Sequence, residues 1–132
     1  MNLTSEQKKL VEQSFTFIIS QKKNIGDNFY SYLFALKPDL KELFQSDIKE
    51  QSKKLEEMLH IIVQKIDDDE INEVLSDLGK RHISYGVSES DYEFVGQALI
   101  LTFKDIMGRK WNNKIENSWK AVYSIIYSKM QI

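Results

Sequence analysis

The sequence of 132 residues contains no cysteine, one proline and only five glycines. Without cysteine, the chain can form no disulfide, thiolate metal site, iron–sulfur cluster or cysteine nucleophile. The scarcity of proline and glycine favours long helices with short loops, and the apolar residues recur at helical spacing. The sequence therefore predicts an all-α fold, with one domain over residues 1–132.

An excess of charge of one sign is also missing. Lys and Arg number 18 against 20 Asp and Glu, so the formal net charge is −2. Nucleic acid is not an expected partner, because binding to its phosphates needs a basic excess. The first nine residues are polar, and no apolar run approaches the length of a membrane span. We therefore expect a soluble, cytoplasmic protein with no membrane partner; the sequence leaves the oligomeric state open.

Apolar periodicity and capping signals predict six main helices plus a short one. Thr4 and Gln7 have the spacing of a capping box that opens the first helix. A second helix is expected over Ile25 to Leu36, and Pro38 suits the first position of a short following helix. A further helix is expected over about residues 49–66, with the Asp67-Asp68-Asp69 run ending it and capping the helix that carries His82. Gly86 should end the His82 helix, and Ser88-x-x-Asp91 or Ser90-x-x-Glu93 should open the following helix, which Gly108 should end. A last helix is expected from about Asn113.

His82 is one of two histidines and lies on the apolar face of its predicted helix. Helical geometry places Leu75, Leu78, His82 and Tyr85 on that face. A buried imidazole needs a partner for its nitrogens. Backbone or hydroxyl groups can supply it, or the imidazole can be an axial ligand of haem iron, for which neutral imidazole is a usual ligand. The pattern of residues around His82 leaves both alternatives open.

Several motifs along nearly the whole chain together resemble one protein family. They are Asn28-Phe29-Tyr30-x-x-Leu33-Phe34, Pro38-x-x-x-x-Leu43-Phe44, Gln51-x-x-x-Leu55, His82-x-x-x-Gly86-Val87, Tyr92-x-x-Val95-Gly96-x-x-Leu99 and Trp119-x-x-x-Tyr123. In this order and spacing they resemble the globins, specifically single-domain bacterial haemoglobins related to the globin part of flavohaemoglobins. The resemblance implies the globin fold, with a haem pocket between the helices that carry Gln51 and His82.

The resemblance also implies the cofactor, haem b (iron protoporphyrin IX), and the residues around it. His82 matches the proximal iron ligand, Phe44 the ring packed on the porphyrin, Tyr30 and Gln51 the distal pair, and Leu55 the apolar wall above the iron. The residues matching the proximal side and the haem edge are Val87, Tyr92, Val95 and Tyr123. Leu78 shares the pocket face with His82, and Lys54 and Arg81 are candidates to pair with the haem propionates.

Three other side chains bear on the coordination of the iron. His60 lies nine residues after Gln51, about 180° round the helix, and so is expected at the solvent side or packed elsewhere. Lys54 could ligate iron if desolvation removed its proton, although a solvated charge or a propionate partner is its other expected role. Tyr30 could bind ferric iron as a phenolate if the pocket collapsed.

This pocket predicts reversible binding of O2, or of another small ligand such as NO or CO. A phenol and an amide N–H can both donate to a ligand that gains negative charge, each contributing about 1–3 kcal/mol. The flavohaemoglobin glutamate that supports the proximal histidine would fall beyond Ile132, so His82 is expected to favour O2 binding over O–O cleavage.

Two alternatives to reversible O2 binding stay open. The first is a nitric oxide dioxygenase that relies on an external reductase, because the chain leaves no room for flavin and nicotinamide domains. The second is a haem-based redox or gas-sensing module. The expectation leans away from an enzyme.

Overall fold

A computed structural model describes residues 3–44, 47–84 and 86–130. The α-helices are α1 (Ser5–Ser20), α2 (Ile25–Leu36), α3 (Ile48–Lys65), α4 (Glu70–Ser84), α5 (Asp91–Met107) and α6 (Asn113–Met130). Short 3₁₀ helices cover Pro38–Leu43 and Gly108–Lys110, and the described ranges contain no β-strand. The prediction of six main helices plus a short one after Pro38 is confirmed. None of the helices in these ranges combines the length and apolarity that a membrane crossing requires.

Side chains cap the helices largely as their spacing predicted. The Thr4 hydroxyl accepts a hydrogen bond from the Gln7 N–H at 3.1 Å, and the Gln7 side chain accepts from the Thr4 N–H at 3.0 Å. Asp68 of the aspartate run accepts from the Glu70 N–H at 2.9 Å and so caps α4. These bonds satisfy N–H groups that a helix leaves without partners at its start.

The apolar faces of the helices meet in one core around Trp119. Its ring lies 4.5 Å from the Phe103 ring and 6.1 Å from the Phe15 ring, between centroids. The indole N–H donates to the buried hydroxyl of Ser14 at 2.9 Å, so α1 and α6 share a satisfied polar pair inside the core. The predicted inner stripe of α1, Val11, Phe15 and Ile18, is buried.

The helices α2 and α3 approach each other to backbone contact at Gly26 and Ser52. A Cβ atom at Gly26 would lie 2.3 Å from the Ser52 Cβ and 2.5 Å from its Cα, so only glycine fits. The Ser52 hydroxyl donates to the Asp27 carboxylate at 3.0 Å, and the Glu56 carboxylate accepts from the Ile25 N–H at 3.2 Å. Packing and hydrogen bonds together fix the crossing of the two helices.

The helix α4 packs mainly on α6. A Cβ atom at Gly79 would lie 2.1 Å from the carbonyl oxygen of Met130, so the two backbones touch near the end of α6. On the predicted inner face of α4, Leu75 is fully buried and Leu78 is half-buried. Tyr85, which was expected on the same face, lies outside the described residues.

Candidate functional site

The imidazole of His82 is oriented by its own helix, near the end of α4. Its Nδ1 atom lies 2.8 Å from the carbonyl oxygen of Leu78. A carbonyl oxygen only accepts hydrogen bonds, so Nδ1 carries the proton and Nε2 keeps its lone pair. Burial lowers the pKa of His82, the Leu78 carbonyl partly opposes this, and the nearby Arg81 adds to it. A neutral imidazole with an available Nε2 is the form that binds a metal ion.

The helix α4 ends two residues after His82, at Ser84. Gly86 has a φ of 89°, in the left-handed region that glycine adopts without strain, as the sequence predicted for a helix stop. The N–H of Val87 then donates to the His82 carbonyl oxygen at 3.2 Å. Val87 is half-buried and packs against the core, so this turn brings it back beside the histidine.

Tyr92, in the first turn of α5, lies beside His82 with 6.3 Å between the ring centroids. The Tyr123 hydroxyl donates to the backbone carbonyl oxygen of Tyr92. Gly96 allows Tyr123 to come this close, because a Cβ atom at Gly96 would lie 2.7 Å from the Tyr123 ring. Val95 on α5 is half-buried against the core. Tyr92 is 3 % exposed, and its buried hydroxyl has no hydrogen-bond partner within residues 3–44, 47–84 and 86–130. Buried polar atoms without a partner are uncommon in folded proteins, so this hydroxyl is a notable feature of the region beside His82.

Aromatic rings surround Tyr30 on α2. Its ring centroid lies 5.0 Å from Phe29, 5.8 Å from Phe34 and 5.1 Å from Phe44. Burial raises the pKa of Tyr30 to about 12, so the side chain remains a neutral phenol at physiological pH. The structure thus brings the predicted Tyr30 and Phe44 into contact and keeps the phenol as a hydrogen-bond donor.

Gln51 and Leu55 lie on α3 close to its crossing with α2. Gln51 directly precedes Ser52, which touches Gly26, and Tyr30 follows Gly26 by about one helical turn. Both α3 side chains are half-buried, and Leu55 packs against the core. Gln51 and Leu55 therefore lie within one helical turn of this contact on α3, and Tyr30 lies about one turn from it on α2.

The charged candidates lie at the surface. The side chain of Lys54 is 62 % exposed, with its Nζ 3.8 Å from a carboxylate oxygen of Glu50, as a solvated charge would be. Arg81 is exposed on α4. His60 is also exposed, and its ring packs edge-on against Phe15 at 5.1 Å, in agreement with the expectation that it lies at the solvent side or packs elsewhere.

One polar contact next to Tyr92 was not predicted from the sequence. Lys37, at the end of α2, forms an ion pair with Asp91, which is 4 % exposed, and its ammonium lies 5.5 Å from the Phe94 ring centroid. The Ser88 N–H donates to the same carboxylate at 2.8 Å. Burial opposes ionisation of Asp91, but the bonds from Lys37 and Ser88 outweigh it, so its pKa is lowered. The pair ties α2 to the start of α5.

Comparison with known proteins identifies the family. The Globin family model matches residues 27–130, and the chain belongs to this family. A flavohemoprotein from Rhizobium meliloti is 26% identical over 92% of this chain, which spans only 31% of that relative. An anaerobic nitrite reductase from Gossypium hirsutum is 27% identical over 98% of this chain and 89% of its own length. The resemblance inferred from the motifs is confirmed.

Solved structures show the same architecture. A bacterial globin from Campylobacter jejuni superposes with a TM-score of 0.81 at 20% identity, covering 96% of this chain and 93% of the other. An engineered carbene transferase, made from a candidate nitric oxide dioxygenase of Rhodothermus marinus, superposes with a TM-score of 0.83 at 21% identity. The superposition covers 96% of this chain and 89% of the other. At these identities the likeness establishes the globin fold and leaves the ligand of this chain to its own residues.

Proposed function

We propose that this globin holds haem b through Nε2 of His82 and reversibly binds O2, or another small ligand such as NO or CO. The observation that carries the proposal is the Nδ1 contact to the Leu78 carbonyl oxygen at 2.8 Å. It assigns the proton to Nδ1, fixes the plane of the ring and leaves Nε2 as the available ligand atom. Haem, when bound, supplies the iron at which the small ligand is taken up.

The residues proposed to line the haem pocket suit a flat apolar group. Phe44 provides an aromatic face in contact with Tyr30, and Leu55 provides an aliphatic wall from α3. The proximal side and the haem edge would be formed by Leu78, Val87, Val95, Tyr92 and Tyr123. Lys54 and Arg81 are exposed, as side chains that pair with propionates at the surface would be.

Tyr30 and Gln51 are proposed to donate hydrogen bonds to the ligand. A small ligand that gained negative charge at the haem would be a better hydrogen-bond acceptor, and both side chains have donors. The pKa of Tyr30, raised to about 12 by burial, keeps its proton in place at neutral pH. Each donor should stabilise the ligand by about 1–3 kcal/mol in a site protected from water.

Reconstitution with haem tests the proposal directly. We expect stoichiometric uptake and a five-coordinate ferrous spectrum that changes on exposure to O2. A six-coordinate ferrous spectrum would indicate an internal ligand and favour a redox or gas-sensing module. Failure to take up haem in stoichiometric amount would overturn the proposal.

Substitution of His82 tests the ligand assignment. His82→Gly should lose stable haem binding, and added imidazole should restore the spectrum by occupying the vacated position. Rescue separates a ligand role from a general folding defect. His60→Ala is the matched control, because the other histidine is exposed and should leave haem binding unchanged. A parent-like haem content and spectrum in His82→Gly without imidazole would exclude His82 as the ligand.

Nitric oxide dioxygenation is the second candidate function. The Rhodothermus marinus relative is named as a candidate for this activity, and the chain aligns with the flavohemoprotein over about a third of that protein's length. The activity would require an external reductase to return the iron to the ferrous state. Sustained NO consumption over many turnovers, with a reductant present, would support it; a single stoichiometric reaction would not.

A further inference from the structure

An open cleft lies between the start of α5 and α6, on the outer side of Tyr92. Its volume is about 590 Å³. Three phenols and two carboxylates line it, together with two serines; the phenols and carboxylates belong to Tyr92, Tyr123, Tyr127, Glu89 and Glu93. The cleft is distinct from the Tyr30 side of the site, and it shares Tyr92 and Tyr123 with the proximal side.

Aromatic rings connect His82 to this cleft. The ring centroids of His82 and Tyr92 are 6.3 Å apart, and those of Tyr92 and Tyr127 are 5.6 Å apart. Tyr92 is buried, whereas Tyr127 is half-buried and reaches the surface. Electron transfer between such closely spaced rings does not require either of them to move. The three rings therefore form a short path from the proposed haem ligand to the protein surface.

The three phenols differ in the acceptor available for their protons. The Tyr127 hydroxyl donates to the Glu89 carboxylate at 3.3 Å, whereas the Tyr123 hydroxyl donates to the backbone carbonyl of Tyr92. The Tyr92 hydroxyl has no partner within the described ranges. A phenol that loses an electron becomes strongly acidic, and a carboxylate can take its proton while a peptide carbonyl cannot. Of these three, Tyr127 is the one equipped to be oxidised to a neutral phenoxyl radical.

We propose that the cleft is an electron-donor site, where a small aromatic reductant, a phenol or an aromatic amine, delivers electrons through Tyr127 when the haem-loaded protein is oxidised by a hydroperoxide. The inference rests on the proposed binding of haem by His82, and it requires only slow cleavage of the weak peroxide bond, which is compatible with a histidine expected to favour O2 binding. Glu89 and Glu93 disfavour anionic reductants at the cleft, so a neutral or cationic donor is the class that fits. This adds a reductant site to a globin whose proposed ligand site lies elsewhere.

Electrons and protons balance in this scheme. Tyr127 gives an electron inward along the rings and its proton to Glu89, and a bound reductant then returns one electron and one proton to the phenoxyl oxygen. Glu89 releases its proton to water. Over two such steps, two reductant molecules each lose one electron and one proton. The hydroperoxide takes up these two electrons and two protons and gives one alcohol and one water, or two waters when it is hydrogen peroxide.

Freeze-quench electron paramagnetic resonance tests the proposal on the haem-loaded protein mixed with hydrogen peroxide. We expect a phenoxyl signal in the parent, its loss in Tyr127→Phe and its persistence in Tyr32→Phe, a control tyrosine on α2 that is also half-buried. Glu89→Gln should weaken the signal, because the amide cannot accept the proton. Spin-trap adducts mapped by mass spectrometry should locate on Tyr127.

Guaiacol, a neutral phenol, is the probe for the reductant. Its peroxide-driven oxidation should slow severalfold in Tyr127→Phe and in Glu89→Gln, with the ferric haem spectrum unchanged. A parent-like phenoxyl signal or guaiacol rate in Tyr127→Phe, with haem bound normally, would overturn the electron-donor site and leave the proposed function intact. Absence of haem binding in the parent would instead remove the proposed function and this inference together.

Discussion

The rings of Tyr30 and Phe44 meet edge to face, with 5.1 Å between their centroids and 71° between their planes. This geometry is favourable for two aromatic rings, and Phe29 adds a second edge contact to Tyr30 at 5.0 Å. The position of the phenol ring is therefore set by its aromatic neighbours. Removing only the hydroxyl should leave the packing in place and isolate its chemical role.

Tyr30→Phe should accelerate O2 dissociation, because it removes one proposed donor and retains the ring. A loss of about 1–3 kcal/mol corresponds to an increase in the rate of roughly fivefold to more than a hundredfold. Stopped-flow displacement of O2 measures the rate. Tyr32→Phe on the same helix should match the parent. A dissociation rate in Tyr30→Phe within error of the parent would show that the phenol does not contact the ligand.

Gly26→Ala should destabilise the fold and disturb the ligand site together. The new Cβ would fall 2.3 Å from the Ser52 Cβ and 2.7 Å from its carbonyl oxygen, so backbone must shift and α2 must separate from α3. Such overpacking costs about 1–3 kcal/mol or more. Urea unfolding measures the cost, and the exposed Ser31→Ala on α2 provides a control near zero. An unchanged midpoint in Gly26→Ala would contradict the close crossing.

The Lys37–Asp91 pair predicts a coupled effect on stability. Lys37→Met leaves the Asp91 carboxylate at 4 % exposure without its cation, which should cost on the order of 1–3 kcal/mol. Asp91→Asn keeps an acceptor for the Ser88 N–H and removes the charge. The double variant should lose less than the sum of the two single losses, as measured in a double-mutant cycle. Strict additivity would mean that the pair contributes nothing.

Acidification should destabilise the haem-free protein through His82. Its pKa in the folded state is lowered by burial, so the unfolded chain takes up a proton near the ordinary value of 6.5 while the folded chain does not. The unfolded state then binds more protons, and the free energy of unfolding falls as the pH drops below about 6.5. His82→Phe should show a shallower fall between about pH 7 and 5 in urea titrations. Parallel curves would argue against a buried, neutral imidazole.

The helices and their caps were accessible from the sequence because their determinants are local. Thr4 and Gln7 form the predicted capping box, Pro38 opens the short helix, and the expected range of α2, Ile25 to Leu36, agrees with the structure. Each of these signals depends on residues within a few positions of one another. Periodicity likewise placed His82 beside Leu75 and Leu78 on α4.

The contacts that join distant segments could not be predicted in the same way. The Lys37–Asp91 pair links residues 54 positions apart, and the Trp119–Ser14 bond links residues 105 positions apart. In the sequence, Ser14 is a polar residue in an amphipathic helix like several others. No neighbouring residue indicates that it bonds to Trp119. The sequence predicted only a capping box between Ser88 and Asp91. The Asp91 carboxylate does accept the Ser88 N–H, which is one of the two hydrogen bonds of such a box. That the Tyr92 hydroxyl lacks a hydrogen-bond partner among the described residues was likewise beyond sequence reasoning.

Family resemblance identified the candidate site residues, and the structure gave the orientation of the His82 imidazole. Motif spacing pointed to His82, Tyr30, Gln51 and Phe44, but it could not say which nitrogen of the imidazole carries the proton. That assignment came from the contact to Leu78, an interaction within one turn of α4. The role of each residue toward a ligand stays a prediction for the experiments above.

The backbone contact between Gly79 and Met130 has a consequence for the order in which the molecule assembles. Because α4 rests mainly on α6, His82 is held by a helix made much later in synthesis. The contacts of α2 with α3 join neighbouring segments, whereas α4 gains its main packing partner only once α6 has been made. Capture of a cofactor by His82 would therefore be among the last events of folding, after most of the core has formed.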